Sequence, residues 1–122
     1  FDIIIDRLSK DFSDIIFITT QLSSIKSDNV FFTGNIIGQN CSDLNEISYL
    51  SKFCDILIGR SSGPLCFCYI VDNLMNKNKK IISFSYNKFD SNWYDDVKCE
   101  MIWSNDFNVE NIYHLIKINI EK

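Results

Sequence analysis

The stretch Asp55-Ile56-Leu57-Ile58-Gly59-Arg60-Ser61-Ser62-Gly63-Pro64 gathers the residue types that a phosphate site needs. Gly59 and Gly63 allow a tight turn and a close approach of backbone to ligand. The hydroxyls of Ser61 and Ser62 can donate to phosphate oxygens, and the Arg60 guanidinium can add a charge-assisted, bidentate contact. Pro64 suits the first turn of a helix, whose unpaired N–H groups and positive dipole end would face the same spot. A strand, a Gly/Ser turn and a helix N-terminus in succession describe an anion site; they also describe a plain βα turn with a serine cap. The loop is not a Walker sequence, since no Gly-Lys-Ser/Thr occurs, and it lacks the Gly-x-Gly-x-x-Gly dinucleotide pattern.

The elements that must position this loop follow from hydrophobic periodicity. Phe1, Ile4, Ile5, Leu8 and Phe12 recur at helical spacing and predict a helix over residues 1–11. Ile15-Ile16-Phe17-Ile18 and Val30-Phe31-Phe32 are continuous apolar runs, as expected of strands buried on both faces, the second closed by a Thr33-Gly34-Asn35 turn. Ser42 or Asp43 can cap a helix whose apolar stripe is Leu44, Ile47, Leu50 and Phe53, and Asp43 with Glu46 has the capping-box spacing. A strand over 54–59 runs into the glycine loop, and a helix is expected from Pro64 to about Met75. A buried strand over 80–85, a loop over 86–96 carrying Trp93 and Tyr94, a short edge strand over 100–103 and a last helix on Val109, Ile112, Tyr113, Ile116 and Ile120 complete the chain. Phe17, Phe31, Phe32, Phe53, Phe67 and Phe84 are expected in the core.

Short apolar strands alternating with amphipathic helices predict an α/β class, a three-layer Rossmann-like domain with a largely parallel sheet flanked by helices. Ligands of such sheets bind beyond the carboxyl ends of the strands, which selects the loops after Ile18, Phe32 and Ile58. Thr19 in the first loop, with Thr20, and Thr33, Gly34 and Asn35 in the second can line a base and ribose pocket or simply end their strands. Glu46 can hold ribose hydroxyls or serve only as a cap. Trp93 and Tyr94 can stack on a sugar or on a partner domain, or anchor their loop. His114 reads as structural.

Composition narrows the classes further. A chain of 122 residues suits one domain. With 16 acids against 12 bases and a formal charge of -4, it lacks the basic surface of a nucleic-acid binder. Its one local basic run, Lys77-Asn78-Lys79-Lys80, reads as a solvated turn. No apolar stretch is long enough to span a membrane, and the acidic start Phe1-Asp2 lacks the basic region of a signal peptide. The chain does not begin with Met, which suggests a piece of a longer protein. Cys41, Cys54, Cys66, Cys68 and Cys99 are odd in number and irregularly spaced, against both a disulfide framework and a zinc site. They read as buried, reduced thiols in a cytoplasmic protein without a metal or cofactor. A phosphoacceptor domain would need its acids at strand ends, whereas Asp55 begins its strand.

Residues 29–86 resemble the donor-binding domain of the heptosyltransferase-like family, glycosyltransferases of the GT-B architecture. The family runs from a strand ending in a small polar/Gly pair, through a leucine-patterned helix and a second strand, to Asp-Ser/Thr-Gly-Pro/Leu-x-His. Here the matching stretches are Val30-Phe31-Phe32-Thr33-Gly34, the helix 43–55, Ile56-Leu57-Ile58-Gly59 and Ser61-Ser62-Gly63-Pro64-Leu65-Cys66. The strand around Asp14-Ile15-Ile16-Phe17-Ile18-Thr19-Thr20 fits the family's preceding one. Ser61 stands where the family has Asp, and Cys66 where it has His. The resemblance implies metal-independent transfer of a sugar from a nucleotide-diphosphate donor to a glycan or lipid-linked acceptor. It also implies a separate N-terminal domain that holds the acceptor and supplies the general base, and peripheral membrane association as an option for the full-length enzyme. The chain alone would bind the donor weakly and transfer nothing. The alternative is a noncatalytic nucleotide-binding or interaction module of the same fold.

Overall fold

Periodicity is translated into structure along most of the chain. The computed structural model describes residues 1–36, 44–61, 63–87 and 96–122. The fold is mixed α/β, with parallel strands in two small sheets flanked by helices. Among the described residues the expected single sheet is thus divided: one sheet has two strands and the other three. The chain forms two compact units, Phe1–Asp43 with Asn108–Lys122, and Leu44–Phe107. Among the described residues no helix is long and apolar enough to cross a membrane.

The first unit contains helix α1 (Asp2–Asp11), strands β1 (Phe17–Thr19) and β2 (Val30–Phe32), the short helix α2 (Thr33–Ile36) and, from the end of the chain, helix α5 (Val109–Glu121). The two strands pair in parallel with Phe17 opposite Val30 and Thr19 opposite Phe32. Helices α1 and α5 bury Ile4 and Leu8 on one side and Ile112, Tyr113 and Ile116 on the other. Polar groups fix this pairing: the Arg7 guanidinium lies 3.8 Å above the Tyr113 ring, and the Tyr113 hydroxyl donates to Asp11. That hydroxyl, with Lys117, holds the Asp11 carboxyl below its ordinary value. The Asn29 amide donates to the carbonyls of Ser9, Phe12 and Ile15 at 2.9–3.1 Å, closing the end of α1 and the turn into β1. Asn108 caps α5 by accepting from the N–H groups of Glu110 and Asn111.

The second unit contains α3 (Leu44–Ser51), β3 (Ile56–Arg60), a 3₁₀ helix (Gly63–Cys68), α4 (Val71–Leu74), β4 (Lys80–Phe84) and β5 (Glu100–Ser104). Its strands lie in the order β3-β4-β5, all parallel, with Ile56, Lys80 and Glu100 in register at one end and Arg60, Phe84 and Ser104 at the other. Ile81, Ile82, Ser83 and Phe84 of the central strand are all buried, which is why its sequence is a continuous run without alternation. One face packs Leu57 and Ile81 with Ile47, Leu65, Cys68, Tyr69, Leu74 and Cys99.

Several expectations change. The turn at 33–35 is the start of α2. The capping residues Ser42 and Asp43, like Cys41, Ser62, Trp93 and Tyr94, lie outside the described residues. Of the predicted stripe, Ile47 is buried, but Leu44 is 38% and Phe53 69% exposed, because α3 ends at Ser51 and Phe53 falls beyond its periodicity. Among the six phenylalanines expected inside, Phe84 is buried, Phe17 and Phe32 are half-buried, and Phe31, Phe53 and Phe67 are exposed. The helix expected from Pro64 to Met75 is broken in two. Aromatic and β-branched residues at Phe67, Tyr69, Ile70 and Val71 favour helix weakly. The Asn73 side chain also donates at 2.8 Å to the Cys68 carbonyl, which a continuing α-helix would need.

The largest correction concerns Lys79, which is 2% exposed instead of solvated. Its ammonium donates to the carbonyls of Ser51 at 2.7 Å and Lys52 at 3.2 Å, and to Asn73 Oδ1 at 2.7 Å. Asn73 in turn donates to Ser51 Oγ at 2.8 Å. Burial lowers the Lys79 pKa from 10.5, against the opposing pull of Cys54, Asp55, Cys68 and Cys99. Lys79→Met leaves three acceptors without this donor, and urea unfolding should read a loss of about 2–4 kcal/mol. Below 10.5 and above the folded-state value, the unfolded chain binds the proton that the folded chain has released. This lysine's contribution to stability therefore rises with pH across that interval, and the Lys79→Met variant should lack that part of the slope.

Candidate functional site

The glycine loop leaves the carboxyl end of β3, and each residue there is set by the strand before it. Side chains alternate along a strand. Gly59 therefore shares a face with its partners Ser83 and Trp103, while Arg60 shares the opposite face with Phe84 and Ser104. A Cβ at Gly59 would lie 3.2 Å from Leu65 Cβ, so glycine here lets the 3₁₀ helix pack directly on the strand. Gly63 has φ +75, a left-handed conformation, and a Cβ there would meet nothing within 4 Å. The bend at Gly63 is therefore open to solvent, with Pro64 half-buried behind it.

The polar groups divide into those already engaged and those on offer. The Ser61 N–H donates to the Phe84 carbonyl at 3.2 Å, which continues the β3–β4 ladder and removes that donor from any ligand. The Ser61 carbonyl accepts from the Cys66 thiol. Burial pushes the thiols of Cys54, Cys66, Cys68 and Cys99 above their usual value, so they stay neutral. The four are free, as expected, but Cys66 is exposed, not buried. Arg60 is exposed, its guanidinium 5.8 Å from the centre of the Phe107 ring.

The other predicted site residues sit in different surroundings. Glu46 is half-buried in the first turn of α3. Thr19, Thr33, Gly34 and Asn35 belong to the first unit, whereas Glu46 and the glycine loop belong to the second. Thr19 donates its hydroxyl to the Phe31 carbonyl at 3.4 Å, and Thr33 and Gly34 are buried, which leaves Asn35 as the exposed member of that set. His114 is exposed on α5, edge-on to Tyr113 at 5.2 Å.

Sequence reasoning passed over several residues at the same edge of the second sheet. Trp103 Nε1 donates to Ser85 Oγ at 2.9 Å, and Ser85 Oγ donates to the Asn87 carbonyl at 2.7 Å. Tyr86 and Phe107 lie with ring centres 4.7 Å apart. Ser83, beside Gly59, buries a hydroxyl that has no hydrogen-bond partner. Tyr86 was read only as the start of a loop; its place directly after a buried strand is the one signal that set it at the ligand end.

No family model matches the chain, and the searches of curated proteins and of solved structures also found no match.

Two substitutions separate the roles of the glycines. Gly63→Ala forces a left-handed backbone on a residue with a Cβ and should cost about 1–2 kcal/mol in urea unfolding. Gly59→Ala crowds Leu65 and should cost about 1–3 kcal/mol as overpacking. Ser83→Ala removes an unsatisfied buried hydroxyl and should leave stability unchanged or raise it by about 1 kcal/mol.

Proposed function

We propose that this chain is the nucleotide-sugar-binding half of a two-domain, metal-independent glycosyltransferase of the GT-B type. The donor diphosphate would lie against the loop that leaves β3. The observation that carries this reading is the open left-handed bend at Gly63, at the carboxyl end of a parallel strand, with the exposed cation Arg60 three residues before it. The resemblance of residues 29–86 to the heptosyltransferase-like family supports it from the sequence. Main-chain N–H groups at the bend and the Arg60 charge would stabilise the leaving diphosphate by electrostatic preorganisation. A separate acceptor domain would supply the general base. Free thiols at Cys54, Cys66, Cys68 and Cys99 support a reducing, cytoplasmic setting.

One observation favours a second reading, a noncatalytic nucleotide-binding module. Cys66, which stands where the family has His, donates its thiol to the Ser61 main-chain carbonyl and is held neutral, and Ser61 puts a hydroxyl where the family has the Asp carboxylate. Neither brings acid–base chemistry to a substrate.

Titration with UDP, ADP, GDP and CMP, followed by amide NMR, tests the shared core of both readings. One diphosphate nucleotide should shift the Gly63 amide and the Arg60 side-chain N–H signals, with the Ser61 amide moving less because the Phe84 carbonyl holds it. Arg60→Gln should weaken that binding about tenfold through loss of a charge-assisted contact. Silence with all four nucleotides while the spectrum stays dispersed would contradict the proposal. A transfer assay on the full-length protein separates the enzyme from the silent binder.

A further inference from the structure

We infer that the exposed face of Tyr86 is the stacking platform for the base of the bound nucleotide, backed by Phe107, whose ring Arg60 approaches; this rests on the donor-site reading above. Tyr86 is 85% exposed, yet it is not a frayed end. It directly follows Ser85, whose N–H donates to the Ser104 carbonyl at 3.1 Å and whose hydroxyl is tied to Trp103 and to the Asn87 carbonyl. The backbone before Tyr86 is thereby tied to the sheet, and the carbonyl after it accepts from the Ser85 hydroxyl. One side of its ring meets Phe107 at 4.7 Å with a 36° tilt, and its high exposure leaves the rest of the ring open to solvent. A large aromatic surface held in place and left bare at the carboxyl edge of a parallel sheet is suited to a planar ring.

Charge decides which planar ring. Phe107 carries Arg60 on the same edge, 5.8 Å from its ring centre, within the range of a cation–π contact. The ladder consumes the N–H groups of Ser61 and Ser85, so side chains and not main-chain donors define this part of the edge. An aromatic pair with a cation over its second ring fits a flat heterocycle that carries negative charge at the end of a short linker, which is the chemistry of a nucleoside diphosphate. This assignment moves base recognition to Tyr86, away from Thr19, Thr33, Gly34 and Asn35, of which Thr33 and Gly34 are buried.

The test uses the whole chain, with calorimetric titration of the nucleotide that shifts Gly63 and, separately, of inorganic pyrophosphate. Tyr86→Ala should weaken nucleotide binding about tenfold or more and leave pyrophosphate binding unchanged, while Tyr86→Phe should bind the nucleotide like the parent. Equal nucleotide affinity in Tyr86→Ala and the parent would overturn the stacking assignment and leave the donor site standing. Equal losses for nucleotide and pyrophosphate would overturn it too, since the loss would not belong to the base. Absence of binding by UDP, ADP, GDP and CMP to the parent chain would overturn both inferences.

Discussion

The second unit is organised around one desolvated ammonium. Lys79 reaches the carbonyl end of α3, where the helix dipole is negative, and fills positions that the helix itself leaves unpaired. Its third proton goes to Asn73, whose amide then fastens Ser51 and the end of the 3₁₀ helix. The main chain of Lys79 is engaged as well: its N–H donates to Asn76 and its carbonyl accepts from Glu100. One residue therefore joins α3, the segment after the glycine loop and the starts of β4 and β5. Such a buried group is costly if any acceptor is missing and strongly specifying when all are present.

That constraint acts at the amino ends of the strands, opposite the carboxyl ends that carry the candidate site. The parallel register begins with Ile56, Lys80 and Glu100 and closes with Arg60, Phe84 and Ser104. Beyond that line the ladder continues for one more bond on each side, through Ser61 and Ser85, and then the chain opens. What the edge offers a ligand is a left-handed glycine, a cation and a bare aromatic ring. The two serines expected to grip phosphate contribute differently: Ser61 is part of the ladder, and Ser62 lies outside the described residues.

Much of the architecture was legible in the sequence because burial on both faces writes itself as an unbroken apolar run. Residues 81–84 are the clearest case, and α1 and α5 announce themselves by their 3.6-residue spacing. What stayed hidden depends on partners distant in sequence. Lys79 sits in a basic run and looks solvated; only the fold brings it to Ser51, 28 residues earlier. Asn73 is a helix residue, as it looks, but its side chain also takes the Cys68 carbonyl at the end of the 3₁₀ helix. Phe53 and Phe67 carry core chemistry at positions where the backbone turns them outward. At the candidate site, the glycines and Arg60 were legible because their types are unusual at a strand end. Phe107 and the orphan hydroxyl of Ser83 were not, since nothing in their local sequence sets them apart, and Tyr86 had only its place after a buried strand to mark it.

The central claim is that the edge beyond β3 and β4 receives a diphosphate nucleotide. A crystal structure of the chain soaked with UDP, ADP or GDP tests it most directly. The account predicts phosphate density within hydrogen-bonding distance of the Gly63 main chain and the Arg60 guanidinium. Density for the nucleotide at any other place, with the Gly63 bend left bare, would contradict it.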